Sequence, residues 1–261
     1  MLGGIFLKDG IHCPKLNFTN ENLLKHALKN GKSIAVIFDY DNNFENNIYS
    51  GEFLIYSSKY IIKAGGFECI CIDNDTQTLY PPALISALGL ICDIYKDDAK
   101  RHTPKHFYEY DIHSAFNKIN GNIISRKSDI KSFFNAAAFL MNISNVEMKE
   151  LALKHLKNIN NEYEFNIRYT NKMFIVGIKD IILGLLADIK KDEKKEVMSA
   201  KFYKSIIDIS VFMCKDLREF HGINKVLLAG KMFEEDENLR IIENELIRNR
   251  FNVSYNFSDI Q

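Results

Sequence analysis

The chain has 261 residues, 46% of them hydrophobic, and its 34 basic and 34 acidic side chains give a formal net charge of zero. That size supports one large or two modest packed domains, and the balanced charge leaves no electrostatic footprint for nucleic acid or an anionic membrane. No apolar run approaches the roughly 20 residues that span a bilayer, and the start Met1-Leu2-Gly3-Gly4 lacks the features of a signal peptide, so a cytoplasmic protein is expected.

Residues 1–16 read as a short hairpin or edge segment turning at Asp9-Gly10. Thr19 is placed to cap a helix whose apolar stripe is Leu23, Leu24, Ala27 and Leu28, and Gly31 stops it. The apolar run Ser33 to Phe38 reads as a strand buried on both faces that delivers Asp39 to its carboxyl end. After an Asn- and Asp-rich turn at 40–50, three strand candidates at 51–56, 60–64 and 67–72 make an antiparallel meander. Pro81 and Pro82 open a helix with Leu84, Ile85, Leu88 and Ile91 on its apolar face. Residues 97–127 show little periodicity and hold three of the seven histidines, which reads as a flexible or site-forming loop.

Helices follow at 128–141 and at 144–158, the second opened by the capping box Ser144 and Glu147. A hairpin is expected from 165–169 and 172–176, then helices at 178–189 and 196–220. The last of these carries Tyr203, Ile206, Ile207, Ser210, Cys214 and Leu217 on one face and ends before Gly222. The chain closes with a strand at Val226 to Ala229, a turn at Gly230, a helix that packs Leu239, Ile242 and Leu246 on the sheet, and a strand at 252–255. No linker or low-complexity segment interrupts 1–261, so a single domain is expected.

Strand, glycine and helix at 226–246 is a phosphate-binding layout, because the unpaired amides and positive dipole end of a helix face what lies above the strand. Gly230 and Lys231 are the contacts this reading names. Against it, Glu234, Glu235, Asp236 and Glu237 crowd the first turn of the helix and repel an anion. Asp39, Asp41 and Glu52 form an oxygen set suited to Mg²⁺, or they shape a turn. His102 and His106 have the spacing that puts two imidazoles on one helix face, with His113 beyond; this is a candidate metal site or a set of solvated side chains. Cys13, Cys69, Cys71, Cys92 and Cys214 are odd in number and scattered, so they read as buried apolar groups rather than a metal set.

Several stretches resemble the carbamoyltransferase domain of the hydrogenase maturation protein HypF and its relatives that transfer threonylcarbamoyl to tRNA. Ser33 to Ile55, with Asp39 after the strand and Gly51-Glu52-Phe53-Leu54 after the loop, is similar to the family's strand, Asp-Gly-Thr-Gly turn and Gly-Gly-Glu-Phe segment. Lys131 to Leu140, Ile181 to Asp188 and Lys201 to Gly230 resemble three further family segments in the same order. The resemblance covers most of 19–257 as a second lobe, with 1–18 as an N-terminal edge segment. It implies an α/β fold, the ribonuclease H-like lobe of the actin-like ATPase type, with a mixed sheet, an antiparallel meander and helices on its faces.

The chain departs from the family pattern in ways that bear on activity. The family's histidine pair would fall near Thr19 and Leu23, a helix-opening glycine is replaced at Lys131, and Tyr40-Asp41-Asn42 stands for the flexible Gly-Thr-Gly turn. The family's first lobe would precede residue 1 and its final Asn-Asp-Gly-Gly loop would follow Gln261, so a nucleotide cleft is expected to need a second chain. The resemblance then implies a divergent, non-catalytic accessory or scaffold in [NiFe]-hydrogenase or other metalloenzyme maturation. Such a protein has no cofactor of its own and works through a protein partner or a homo-oligomer. The alternative it implies is a nucleotide-dependent carbamoyl or acyl transferase that uses ATP with Mg²⁺ and is completed by a second chain.

Overall fold

A computed structural model describes residues 3–6, 12–15, 20–38, 51–57, 59–72, 80–121, 124–127 and 130–255. These fall into two compact units, one built from the N-terminal segment to Gly66 with Ile167–Val176 and the chain from Ile206 onward, the other from Phe67–Asn166 and Gly177–Ser205. The expected turn at Asp9-Gly10 and the cap Thr19 lie outside the described residues. β1 (Gly3–Phe6) and β2 (His12–Lys15) pair antiparallel as the expected hairpin.

The first unit is a sheet. Its strands are β3 (Ser33–Ile37), β4 (Glu52–Tyr56), the first half of β5 (Ile61–Ile72), β7 (Asn166–Thr170), β8 (Met173–Gly177), β9 (Lys225–Ala229) and β10 (Asn252–Tyr255). They run in the order β10-β9-β3-β4-β5-β8-β7. β10, β9 and β3 are mutually parallel, and β4 is antiparallel to both β3 and β5. Parallel strands covered on both faces read as continuous apolar runs, and Ile34, Val36, Leu227 and Leu228 are accordingly buried. α1 (Asn20–Asn30) lies on this sheet, with Leu23 and Ala27 joining Ala35, Leu54, Tyr56 and Leu227 in one apolar cluster. Gly31, at a positive φ of 76°, ends α1 by donating its amide to the Ala27 carbonyl at 2.7 Å.

Two expectations about this unit need correction. Leu28 is 74% exposed, because Leu23 and Ala27, four residues apart, already define the face of α1 that meets the sheet. The strand candidates 60–64 and 67–72 are a single strand, β5. Gly65, inside this strand, serves close packing, since a Cβ there would fall 2.6 Å from the Phe174 carbonyl oxygen and 2.4 Å from the Met213 methyl.

The second unit is mostly helical, with α2 (Pro82–Tyr95), α3 (Ile112–Gly121), α4 (Ile130–Leu140), α5 (Asn145–His155) and α6 (Lys179–Lys190). α2 packs on α4 and α6, burying Leu84, Ile85, Leu88 and Ile91 as their spacing requires. Ser144 Oγ accepts the Glu147 amide at 3.1 Å, the first half of the expected capping box. Residues 97–127, expected to be a loop, are instead ordered into 3-10 turns at Lys96–His102 and Lys105–Glu109, then α3, then β6 (Ile124–Lys127), which pairs antiparallel with the far end of β5. Tight turns with i→i+3 bonds have no 3.6-residue apolar period, which hid them.

α7 (Lys195–His221) contributes its first half to the second unit and the remainder to the first. Within the second unit, Asp188 accepts from Lys201 Nζ at 2.8 Å and from the Tyr163 hydroxyl at 3.1 Å, and Ser205 Oγ accepts the Tyr163 amide at 2.9 Å. Cys92 and Cys214 are buried free thiols, and burial pushes both up from the ordinary thiol range, Cys92 to about 11. The side chains of Cys13, Cys69 and Cys71 lie outside those described. No helix among the described residues is long and apolar enough to cross a membrane.

Candidate functional site at the carboxyl ends of β3 and β9

β3 and β9 are adjacent and parallel, with Ile37 opposite Ala229, so both end at one corner of the sheet. There Phe38 donates its amide to the Ala229 carbonyl at 2.9 Å. β4 begins at the same corner because it is antiparallel to β3, with Glu52 opposite Ile37, and Gly51 donates its amide to the Ile37 carbonyl at 2.6 Å. The topology therefore brings Glu52 to the edge that carries Gly230 and Lys231. Asp39 and Asp41 lie outside the described residues.

Gly230 has φ 114° and ψ 157°, a conformation that side chains rarely adopt, and α8 (Lys231–Glu235) starts directly after it. The acids were expected to crowd this helix's first turn. The helix opens instead with Lys231-Met232-Phe233, and Asp236 is its C-terminal cap. Asp236 is buried and its carboxylate accepts the Asn238 amide at 3.0 Å, so its charge is spent shaping the turn into α9 (Ile241–Arg248). Leu239, Ile242 and Leu246 are fully buried, as their spacing predicts.

What fills the corner is protein. The Met232 amide, in the first turn of α8, donates to the Phe38 carbonyl at 3.2 Å, and the Phe233 amide to the Gly230 carbonyl at 3.3 Å. The Phe38 and Phe233 rings are fully buried and stack with centroids 5.1 Å apart and planes 5° from parallel. Tyr255, at the end of β10, meets Phe233 edge-on at 6.3 Å. Burial pushes the Tyr255 phenol above its ordinary range, and the Glu243 carboxylate adds to that. The Glu52 carboxylate is buried and forms an ion pair with Lys63 Nζ from β5.

The three histidines of 97–127 are engaged separately. His102 stacks on Tyr95 with ring centroids 3.6 Å apart. His106 Nε2 donates to the Phe139 carbonyl at 2.8 Å, and its partial burial against aromatic rings lowers its basicity. His113 Nδ1 accepts from Lys100 Nζ at 3.4 Å. Among the described residues no group of three His, Cys, Asp or Glu side chains stands where it could hold a metal ion.

Two features escaped the sequence reading. Lys63, the partner of Glu52, was one lysine among many, and only the register of β4 on β5 brings it near. His26, buried on α1, shares hydrogen bonds with the Tyr56 hydroxyl at 2.7 Å and Ser254 Oγ at 3.2 Å, linking α1, β4 and β10. Its only local signal was a polar residue beside Ala27 on an apolar helix face.

Comparison with known families decides the relationship. Residues 44–257 match the model of the carbamoyltransferase, Kae1-like domain, second subdomain. The chain belongs to this family. Among solved structures, full-length HypF in its phosphate- and nucleotide-bound form superposes with a TM-score of 0.68 at 18% identity, over 95% of this chain and 40% of that one. T. kodakarensis HypF gives 0.66 at 13% identity, over 90% of this chain and 32% of that one. The chain thus spans well under half the length of either HypF protein. No curated protein matches its sequence. At these identities the likeness speaks for the fold, and the mixed sheet with helices is that of the actin-like ATPase lobe, as the HypF resemblance implied.

Of the groups that ATP with Mg²⁺, the ligand the family implies, would use at this Kae1-like corner, two are already engaged within the protein. The second amide of α8 is already bonded inward. At Glu52 the Lys63 ammonium already pairs with one carboxylate oxygen, Oε1.

Proposed function

We propose that this Kae1-like subdomain does no nucleotide chemistry at its β3–β9 corner and acts through protein contact, as an accessory or scaffold in the maturation of [NiFe]-hydrogenase or another metalloenzyme. The observation that carries the reading is the Met232 amide bonded to the Phe38 carbonyl beneath a Phe38–Phe233 stack, which uses for folding the donors and the space that an anion would take. The Glu52–Lys63 pair supports it from the other side of the corner. A partner lobe or a second copy is the expected associate, and the cytoplasm the expected setting.

A second reading rests on Gly230, whose φ of 114° keeps a glycine-specific turn at the end of β9. It makes the chain the second half of a carbamoyl or acyl transferase whose nucleotide cleft another chain completes, with Asp39, Asp41, Glu52, Gly230 and Lys231 as contacts. Metalloenzyme maturation in cells lacking the chain separates the two. The accessory reading predicts that Asp39→Ala restores maturation as well as the natural chain does. Failure of that variant to restore it favours the transferase, and normal maturation without the chain removes the hydrogenase setting.

A further inference from the structure

A second polar cluster of the first unit lies on the face of the sheet that α1 covers. There His26 is 2% exposed, and its ring is held from both sides. Nδ1 shares a hydrogen bond with the Tyr56 hydroxyl at 2.7 Å, and Nε2 shares one with Ser254 Oγ at 3.2 Å. With the proton on Nδ1, the imidazole donates to Tyr56, and Nε2 accepts from the Ser254 hydroxyl. That is the order of nucleophile, base and orienting group in acyl transfer to a hydroxyl, at the reach proton transfer needs. Tyr56 is fully buried in the apolar cluster of Leu23, Ala27, Leu54 and Leu227, so the imidazole is held from behind. Of the three residues Ser254 alone is not buried, which puts the hydroxyl on the side a reactant can reach. Asn252 donates its amide to the Asn224 carbonyl at 2.9 Å, and alternation along β10 turns the Ser254 amide the same way and the Tyr255 amide to the outer edge. Among the described residues β10 pairs with β9 alone, so the Tyr255 amide faces outward beside Ser254, where it can hold the oxygen of an attacked carbonyl.

We propose that Ser254 is an acyl-accepting nucleophile with His26 as its base and Tyr56 as a positioning residue, and that its substrate is a small activated ester. Ser254 Oγ bonds to the acyl carbon as its proton passes to His26 Nε2. The bond to the leaving alcohol breaks, and the alcohol takes that proton. Water then attacks the acyl-serine, its proton passing through His26 back to Ser254 Oγ, and the carboxylic acid leaves. This activity goes beyond the accessory reading and stands apart from it, because it uses no residue of the Gly230 corner.

The test treats the full chain with p-nitrophenyl acetate, follows p-nitrophenol release, and maps acetyl groups by mass spectrometry after acid quenching. Acetyl on Ser254 is expected. Ser254→Ala should remove it and slow p-nitrophenol release, and His26→Gln should slow acetylation of Ser254 about 100-fold or more. Tyr56→Phe keeps the ring and loses the hydroxyl, and should lower kcat at least about tenfold with KM unchanged. The natural chain decides the matter even where a variant fails to fold, since acetyl confined to lysines with Ser254 unmodified overturns the proposal. Acetylation of Ser254 that is equally fast in folded His26→Gln overturns it too, as does p-nitrophenol release that is unchanged in Ser254→Ala.

Discussion

Replacing Lys201 by methionine isolates the charge that holds the second unit together. Methionine keeps most of the apolar stem and removes the ammonium, which lies 2.8 Å from the Asp188 carboxylate and 5.7 Å from the centroid of the Tyr163 ring. Asp188 is buried and keeps only the Tyr163 hydroxyl at 3.1 Å among the bonds described for it. Breaking a fully buried ion pair costs about 3–5 kcal/mol. The Lys201 side chain is 22% exposed, so water screens part of the loss, and about 2–3 kcal/mol is expected. That corresponds to a fall in Tm of roughly 5–10 °C. The chain has no tryptophan, so urea unfolding is best followed by far-UV circular dichroism. Lys201→Met combined with Asp188→Leu should recover at least about 1 kcal/mol, because no charge is then left buried. A single-variant loss below about 0.5 kcal/mol, the range of a surface pair, would refute the buried-pair reasoning.

Gly65→Ala places a methyl 2.6 Å from the Phe174 carbonyl, which cannot move without breaking the sheet, so a loss of about 3 kcal/mol or more is expected in the same assay. Ser144→Ala removes the acceptor of the Glu147 amide and should cost about 1 kcal/mol, with Ser144→Asp restoring most of it. His106 has its folded-state pKa depressed by burial from the ordinary 6.5, so it favours the neutral form in the native chain. The unfolded chain therefore binds the extra proton first, and this contribution is present above pH 6.5 and lost as pH falls through the lower folded value. His106→Gln should flatten the stability profile in that window, and an unaltered profile would show that His106 is not the group responsible.

How much could be read in advance followed from the range of the interactions involved. Apolar periodicity is local, and it placed α7 within a residue at each end and gave the buried face Tyr203, Ile206, Ser210 and Leu217. The strand at 252–255 and the cap at Ser144 were equally legible because each depends on neighbours in sequence. Contacts between distant segments were not. Lys63 reaches Glu52 through strand register, Gly65 is demanded by Met213 and Phe174, and His26 meets a hydroxyl 228 residues away. At the candidate corner, sequence gave the strand–glycine–helix order but misplaced the helix start. Lys231, not the acidic run, opens α8, because the Phe38 carbonyl takes the Met232 amide and pulls the first turn onto the end of β3.

The central claim is that this corner is closed to nucleotide, and calorimetric titration of the full chain with ATP and Mg²⁺ tests it most directly. With the Met232 amide bonded to Phe38, the two rings stacked and Glu52 paired to Lys63, no saturable heat is predicted at millimolar nucleotide. Saturable Mg²⁺-dependent binding that disappears in Asp39→Ala would contradict it.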